Sequence, residues 1–309
     1  MRFENVIVVI GKTRLEQLIE RFNTKAQARF YIEHAGGNFS EYEAEHDAFR
    51  KALDQIVTDT SSLAKHKIIE RKFLPNFLFS AQDVVVALGQ DGLVANAAKY
   101  VKQQPLLGVN PDLQRNDGIL LPFNKETYRE NLVRVLEQNY QSTQVTMAHA
   151  RTSDGQSLLA FNDLFIGPAT HTSARYSIQF DGKKESQSSS GLIVSTGAGS
   201  TGWLSSVVNM SNGVNAALNR NATKVNWKMK WDEDRLAFVV REPFVSKHSS
   251  ASVTAGYVSR GHSLILESNM PFNGVIFSDG MEADYIQFNS GCQVEINVAP
   301  LKANLVCLN

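Results

Sequence analysis

The sequence predicts an α/β N-terminal domain with a parallel sheet, followed by a mostly antiparallel β domain. Three observations carry that expectation. Continuous apolar, β-branched runs alternate with helical spacing as far as residue 141. Beyond Ser142 strand-like runs follow one another, separated by Asp-Gly and Asn-Gly turn signals. The apolar fraction, 43% of 309 residues, is that of an ordinary globular chain able to bury a sizeable core.

The elements follow in order. Residues 6–10 form an unbroken apolar run, the pattern of a strand buried on both faces of a parallel sheet. Leu15, Leu18, Ile19 and Phe22 then share one helical face, and Phe49, Leu53 and Ile56 repeat that spacing in a second helix. Residues 67–74, 84–88 and 106–109 read as further strands, with a helix over 94–101 between the last two. Leu132, Val135 and Leu136 mark another helix before Gln141. Near Ser142 the texture changes, which sets the expected domains at 1–142 and 143–309. Tight turns are expected at Asp154-Gly155, Asp181-Gly182, Arg260-Gly261, Asn273-Gly274 and Asp279-Gly280. One helix, Trp203–Leu218, interrupts the strands despite Gly213, and residues 186–190 read as a short polar loop.

Composition excludes several classes of function. Lys+Arg and Asp+Glu are 31 each, with no basic stripe, so no nucleic-acid partner is expected. The longest apolar runs are far too short to span a bilayer, so no membrane partner is expected either. The stretch Met1-Arg2-Phe3-Glu4-Asn5 lacks the pattern of a signal peptide, and the chain reads as cytoplasmic. Cys292 and Cys307, the two cysteines, have no partners at metal-ligand spacing and read as buried reduced thiols; no protein-held metal is expected.

Three segments could carry chemistry. In the first, the run 84–88 feeds Gly89-Gln90-Asp91-Gly92-Leu93 and then a helix. Glycines let the backbone turn at the C-terminal edge of a strand, where open α/β sheets bind ligands, and the first amides of the next helix suit a phosphate. Asp91 would lie beside such a phosphate, although a helix cap or turn explains an Asp-Gly equally well. In the second, the run 191–195 leads into Thr196-Gly197-Ala198-Gly199-Ser200-Thr201-Gly202-Trp203. Residues 197–202 form a literal GxGxxG, but the acid that a dinucleotide fold needs about 20 residues later is missing from Asn219-Arg220-Asn221-Ala222-Thr223. A nucleophile elbow at Ser200 would need Gly at Ala198, and a P-loop ending in Gly11-Lys12-Thr13 would need Gly at Val6. In the third, Asn162-Asp163 interrupts an apolar strand with groups suited to sugar hydroxyls, or closes it with a turn.

Taken together these segments resemble the NAD kinase family. Gly89-Gln90-Asp91-Gly92-Leu93 is similar to its Gly-Gly-Asp-Gly-Thr motif, Asn162-Asp163 to its Asn-Glu pair, and residues 195–203 to its Gly-Ser-Thr-Ala-Tyr loop. Gly108-Val109-Asn110 looks like the Gly-Val-Asn that follows in that family. Asn116-Asp117-Gly118, Arg241-Glu242-Pro243 and Ser278-Asp279-Gly280 are similar to its divergent mitochondrial-type branch. The match runs through most of the chain in one order. It implies an NAD kinase/diacylglycerol kinase-like fold and a reaction of ATP with NAD to give NADP, with Mg2+ carried by the nucleotide.

By the same resemblance, Asp91 is the catalytic residue, orienting the 2′-hydroxyl of the adenosine ribose and accepting its proton. Asn162, Asp163, Thr201, Gly202, Trp203 and Ser206 would bind the dinucleotide, with Trp203 replacing a Tyr as stacking surface. Gly89, Gln90, Gly92, Thr196, Gly197, Gly199 and Ser200 would surround phosphates. Gln90 stands where the family has Gly, so a positive φ there would cost about 1–2 kcal/mol. Leu93 replaces Thr, and Ser190 replaces the acid usually found before Gly191. Two other readings stay open: a related kinase acting on a lipid or another small-molecule acceptor, and a catalytically silent dinucleotide-binding protein. The resemblance further implies a homo-oligomer.

Overall fold

The structure, a computed structural model, describes residues 3–219 and 223–308. Arg220, Asn221 and Ala222, part of the stretch that lacks a ribose-binding acid, lie outside the described residues. The chain divides into two compact units, Met1–Thr143 with Asn304–Asn309, and Gln144–Ala303.

The first unit is a sheet with helices. Its strands are β1 (Asn5–Ile10), β2 (Lys65–Glu70), β3 (Asp83–Leu88), β4 (Pro105–Asn110), β5 (Phe123–Asn124) and β6 (Ser142–Val145). Its helices are α1 (Arg14–Phe22), α2 (Lys25–His34), α3 (Phe39–Ser61), α4 (Asp91–Ala98) and α5 (Tyr128–Leu136). β1 pairs in parallel with β2 and β3, β3 with β4, and β4 with β5. The central strands β3 and β4 are buried at every position, which is why they read as unbroken apolar runs. Phe49, Leu53 and Ile56 of α3 and Leu132 and Val135 of α5 pack on Val6, Val8, Val84 and Val86. Each such side chain contributes about 1.5–3 kcal/mol by leaving water.

Several expectations are corrected here. The strand expected over 67–74 stops at Glu70, and Arg71–Asn76 is a 3-10 turn containing Pro75, which cannot donate to a sheet ladder. The helix expected at 94–101 begins earlier, at Asp91. Helix α2 carried no clear periodicity, because only Ala28 of its ten residues is buried. Thr13 caps α1 in a reciprocal box with Glu16, so Gly11-Lys12-Thr13 opens a helix and is not a phosphate loop. The last strand, Ala303–Val306, pairs in parallel with β4, so the end of the chain belongs to the first sheet and not to the β-rich unit expected to run to 309.

The second unit contains β7 (Ala148–Thr152), β8 (Ser157–Ala160), β9 (Asp163–Pro168), β10 (Ala174–Phe180), β11 (Lys183–Ser189) and β12 (Leu192–Ser195). Helix α6 (Trp203–Leu218) follows, then β13 (Arg235–Val240), β14 (Ala255–Ser259), β15 (Leu264–Ser268), β16 (Gly274–Ser278), β17 (Met281–Gln287) and β18 (Gln293–Val298); Ala303–Val306 is β19. They form two six-stranded antiparallel sheets, ordered β11-β10-β15-β18-β7-β8 and β14-β13-β12-β9-β16-β17. Side chains at alternate positions meet in one core: Leu164, Ile166, Leu192, Val194 and Phe238 from one sheet, Tyr176, Ile178, Leu266, Val294 and Ile296 from the other.

Asp181-Gly182 and Asp279-Gly280 close hairpins with both residues at positive φ, and Gly155 closes another between β7 and β8. Arg260-Gly261 and Asn273-Gly274 do not close hairpins; each lies where the chain passes from one sheet to the other. Residues 186–190 were expected as a loop, yet most belong to β11, where Gln187 and Ser189 are buried among polar partners. Cys292 and Cys307 are free and partly exposed, not fully buried.

Candidate active site

In the first unit β3 delivers the chain to Gly89 at the C-terminal edge of the sheet. Gln90 caps α4 in an extended conformation at φ −101°, so the strain expected from a positive φ is absent. Leu93 is buried and lies over Gly89, where an added Cβ would meet its Cδ2 at 2.9 Å. It is a packing residue, and the hydroxyl of a Thr there would be lost to the interior. Gln90 and Gly92 are exposed, and a Cβ on Gly92 would meet nothing within 4 Å. In the first turn of α4 the Leu93 amide donates to the Gln90 carbonyl at 2.8 Å, while the amides of Asp91 and Gly92 have no acceptor within the helix.

Asp91, half-buried, turns its carboxylate onto a second loop: Oδ1 accepts from the Leu120 amide at 2.8 Å and Oδ2 from the Ile119 amide at 3.3 Å. That loop is built by the Gly-Val-Asn segment at the end of β4. A Cβ on Gly108 would sit 2.0 Å from the Leu120 carbonyl oxygen, so only glycine lets the loop approach. Asn110 spans the loop, donating to the Asn116 carbonyl at 3.1 Å and accepting from the Asp112 amide at 2.9 Å. Twenty-nine residues downstream of Asp91, this support was beyond the reach of spacing arguments. A cavity of about 590 Å³ opens at the same sheet edge, lined by Gly11, Leu88, Gly89, Gln90, Gly92 and Arg115 among others; Asp91 does not line it.

In the second unit Asn162 and Asp163 stand at the start of β9. Their backbone is tied on both sides. The Asp279 carboxylate accepts from the amides of Phe161, Asn162 and Asp163 at 3.0, 2.6 and 3.2 Å. Thr196 donates through its hydroxyl to the Phe161 carbonyl at 2.5 Å and through its amide to the Asn162 carbonyl at 2.9 Å. Their side chains, by contrast, make no hydrogen bond among the described residues. Burial, together with the nearby charge of Asp279, pushes the Asp163 carboxyl up to about 7.

The loop after β12 directs much of its hydrogen bonding to the protein itself. The Thr196 hydroxyl also accepts from the Gly199 amide, and the Ser200 hydroxyl donates to the Gly197 carbonyl and accepts from the Met229 amide. The amides of Thr196, Gly199 and Ser200 are likewise engaged within the protein. Gly197 and Gly199 are there because backbone presses on them: a Cβ would meet the Lys230 carbonyl oxygen at 1.9 Å and the Asn162 carbonyl oxygen at 2.1 Å. The hydroxyls of Thr196 and Ser200 and the amides of Thr196, Gly199 and Ser200, expected with Gly197 to surround phosphates, are thus committed within the protein. β12 pairs antiparallel with β9 and β13, so its GxGxxG lies in no βαβ unit.

Thr201, Gly202 and Ser206 are exposed at the start of α6. Trp203 stacks on Phe165 with ring centroids 5.6 Å apart and planes 14° apart, and Phe165 meets Phe277 at 4.9 Å. The Arg241 guanidinium lies 5.4 Å from the Trp203 centroid. A cavity of about 1080 Å³ is lined by these four residues, with Ser190, Tyr285 and others. Phe165, Phe277 and Arg241 were missed as site residues; Arg241 and Asp279 stood inside segments that resembled the mitochondrial-type branch, but nothing in the sequence gave them roles.

No family model matches the chain. Over 126 residues it is 30% identical to the NAD kinase of Chlorobium limicola, a match covering 39% of this chain and 43% of that protein. The human mitochondrial NAD kinase 2 is 24% identical over 81% of this chain and 73% of its own length. The chain thus spans less than half of the bacterial relative and about three quarters of the mitochondrial one. Among solved structures, yeast NADH kinase complexed with NADH superposes with a TM-score of 0.63 at 13% identity, over 100% of this chain and 84% of that one. An NAD kinase from Archaeoglobus fulgidus in complex with ATP gives 0.56 at 15%, over 97% and 92%. The fold is therefore that of NAD kinases. In sequence the chain is similar to NAD kinases, the mitochondrial NAD kinase 2 included.

Proposed function

We propose that this chain transfers the γ-phosphoryl group of ATP to the 2′-hydroxyl of the adenosine ribose of NAD, giving NADP and ADP. The observation that carries the reading is a half-exposed carboxylate, Asp91, at the start of a glycine-flanked helix and fixed by two backbone amides. Each of its oxygens keeps a further lone pair. The hydroxyl proton passes to Asp91 as the ribose oxygen bonds to phosphorus and the bond from phosphorus to the β-phosphate oxygen breaks. A carboxylate is a weak base, but phosphoryl transfer goes through a loose transition state in which placement of the nucleophile matters more than early deprotonation. Gly89, Gln90 and Gly92 offer phosphates the open turn at α4, which Gln90 enters without strain.

Asn162, Asp163, Thr201, Gly202, Trp203 and Ser206 are assigned to the dinucleotide. The side chains of Asn162 and Asp163, which make no hydrogen bond among the described residues, and the aromatic surface of Trp203 support that assignment. ATP as donor is supported by the archaeal neighbour that holds it. Magnesium would arrive on the phosphates, since such an ion asks a protein for only one or two carboxylates. Among the described residues no group of three His, Cys, Asp or Glu could hold a metal ion. The yeast neighbour's NADH makes the reduced dinucleotide the acceptor to set beside NAD. A homo-oligomer and a cytoplasmic location belong to the proposal as well; no helix among the described residues is long and apolar enough to cross a membrane.

The test mixes purified protein with ATP, Mg2+ and either NAD or NADH, and reads phosphorylated dinucleotide through an NADP-specific dehydrogenase. Product from either dinucleotide supports the reading. ATP turnover only with an unrelated alcohol would point to another acceptor, and dinucleotide binding with no product to a silent binder.

A further inference from the structure

We infer that Asp279 is a positioning residue for the acceptor-binding pair Asn162–Asp163, acting from the tip of the β16–β17 hairpin together with Thr196. The inference rests on the assignment of that pair to the dinucleotide. Three consecutive amides, those of Phe161, Asn162 and Asp163, donate to one carboxylate, and the Asp279 amide donates back to the Asp163 carbonyl at 2.9 Å. A carboxyl group offers an acceptor oxygen to each side of this cluster; Asn in its place would turn an N–H₂ group toward at least one of the amides.

The hairpin that presents Asp279 is built for it. Asp279 and Gly280 have φ of 54° and 67°, and Ser278 pairs with Met281, so the carboxylate is held at a tight two-residue turn. On the carbonyl side Thr196 completes the clamp, with Gly199 pressed against the Asn162 carbonyl oxygen. Backbone donors and acceptors of the pair are thus consumed, while both side chains stay available. That division of labour is what a binding pair needs: fixed direction with unspent hydrogen-bonding groups. The charge of Asp279 also helps to keep the Asp163 carboxyl up near 7, so that the pair can present an amide and a carboxyl able to donate to a sugar or base. It further moves Thr196 from the phosphates to the acceptor.

The experiment measures calorimetric Kd for NAD and NADH, and for ATP, in Asp279→Asn, Thr196→Val and Thr196→Ser, with kcat and KM alongside. Loss of the clamp in Asp279→Asn and Thr196→Val should weaken dinucleotide binding roughly tenfold, the scale of one charge-assisted hydrogen bond. Affinity for ATP should stay within about twofold, and Thr196→Ser, which keeps the hydroxyl, should bind as the wild type does. A merely structural role would lower thermal stability or the active fraction without changing the Kd of the folded protein. Should Asp279→Asn fail to fold, the Thr196 pair gives the answer alone. Unchanged dinucleotide affinity in folded Asp279→Asn or Thr196→Val overturns the inference, as does weakened ATP binding in its place, or a wild type that binds neither NAD nor NADH. The expected Kd pattern without any product would leave the inference standing and remove the kinase reading.

Discussion

Two glycine-rich loops look alike in the sequence and differ in the molecule. Both follow a buried strand and open a helix, at residues 89–93 and 196–203. In the first, Gly92 faces open space and Gln90 is exposed. In the second, Gly197 and Gly199 make room for the protein's own backbone, at 1.9 and 2.1 Å from where a Cβ would stand, and the Thr196 and Ser200 hydroxyls are spent internally. A glycine in a sequence says that a side chain is excluded. It does not say whether a ligand or the chain itself takes the space.

The comparison can be broken by substitution. The largest effect is expected at the open loop: Asp91→Asn should keep nucleotide binding and lower turnover by a factor of ~100 to 10,000, the usual range for a general base. Full turnover in a folded variant would mean that Asp91 is not the base. At the packed loop, Gly197→Ala pushes a Cβ into a backbone oxygen that no rotamer can move. We expect a loss of about 3 kcal/mol, read as a drop of roughly 10 °C in Tm. A Tm within a few degrees of the wild type would show that segment 229–231 can yield.

Gly92→Ala sharpens the contrast. It lies in a helix with nothing nearby, so stability should rise by up to about 1 kcal/mol, while KM for ATP increases because the new methyl sits where phosphates would approach. A variant neither stabilised nor impaired would remove the open loop from the site. A separate test concerns pH. The Asp163 carboxyl is raised from 3.8 to about 7 in the folded chain, so between those values the native state holds a proton that the unfolded state has released. This group therefore favours the folded state least above pH 7, and its contribution falls as pH climbs from about 4 to about 7. Asp163→Asn should gain Tm relative to the wild type at pH 8 compared with pH 5; a pH-independent difference would contradict the buried, protonated carboxyl.

Much of this was legible in the residues. Unbroken apolar runs marked β1, β3 and β4 because those strands are buried on both faces, and Asp-Gly pairs marked the hairpins at 181–182 and 279–280 because both residues need positive φ. Contacts between distant segments were not. The amides of Ile119 and Leu120 that hold Asp91, the return of β19 to the first sheet, and the Asp279 clamp on residues 161–163 leave no local period. Local polarity misled at residues 186–190, where serines that resemble a loop hydrogen-bond inside a strand. Turn chemistry misled at Arg260-Gly261, which bends the chain from one sheet to the other instead of closing a hairpin.

The central claim, phosphoryl transfer to a ribose alcohol handled by Asp91, is tested most directly by phosphorus NMR of a reaction containing the purified chain, ATP, Mg2+ and NAD or NADH. The account predicts a new phosphomonoester on the 2′-oxygen of the adenosine ribose, formed in step with ADP and suppressed in Asp91→Asn. Phosphate released only to water, or a product that accumulates equally fast in both proteins, would contradict it.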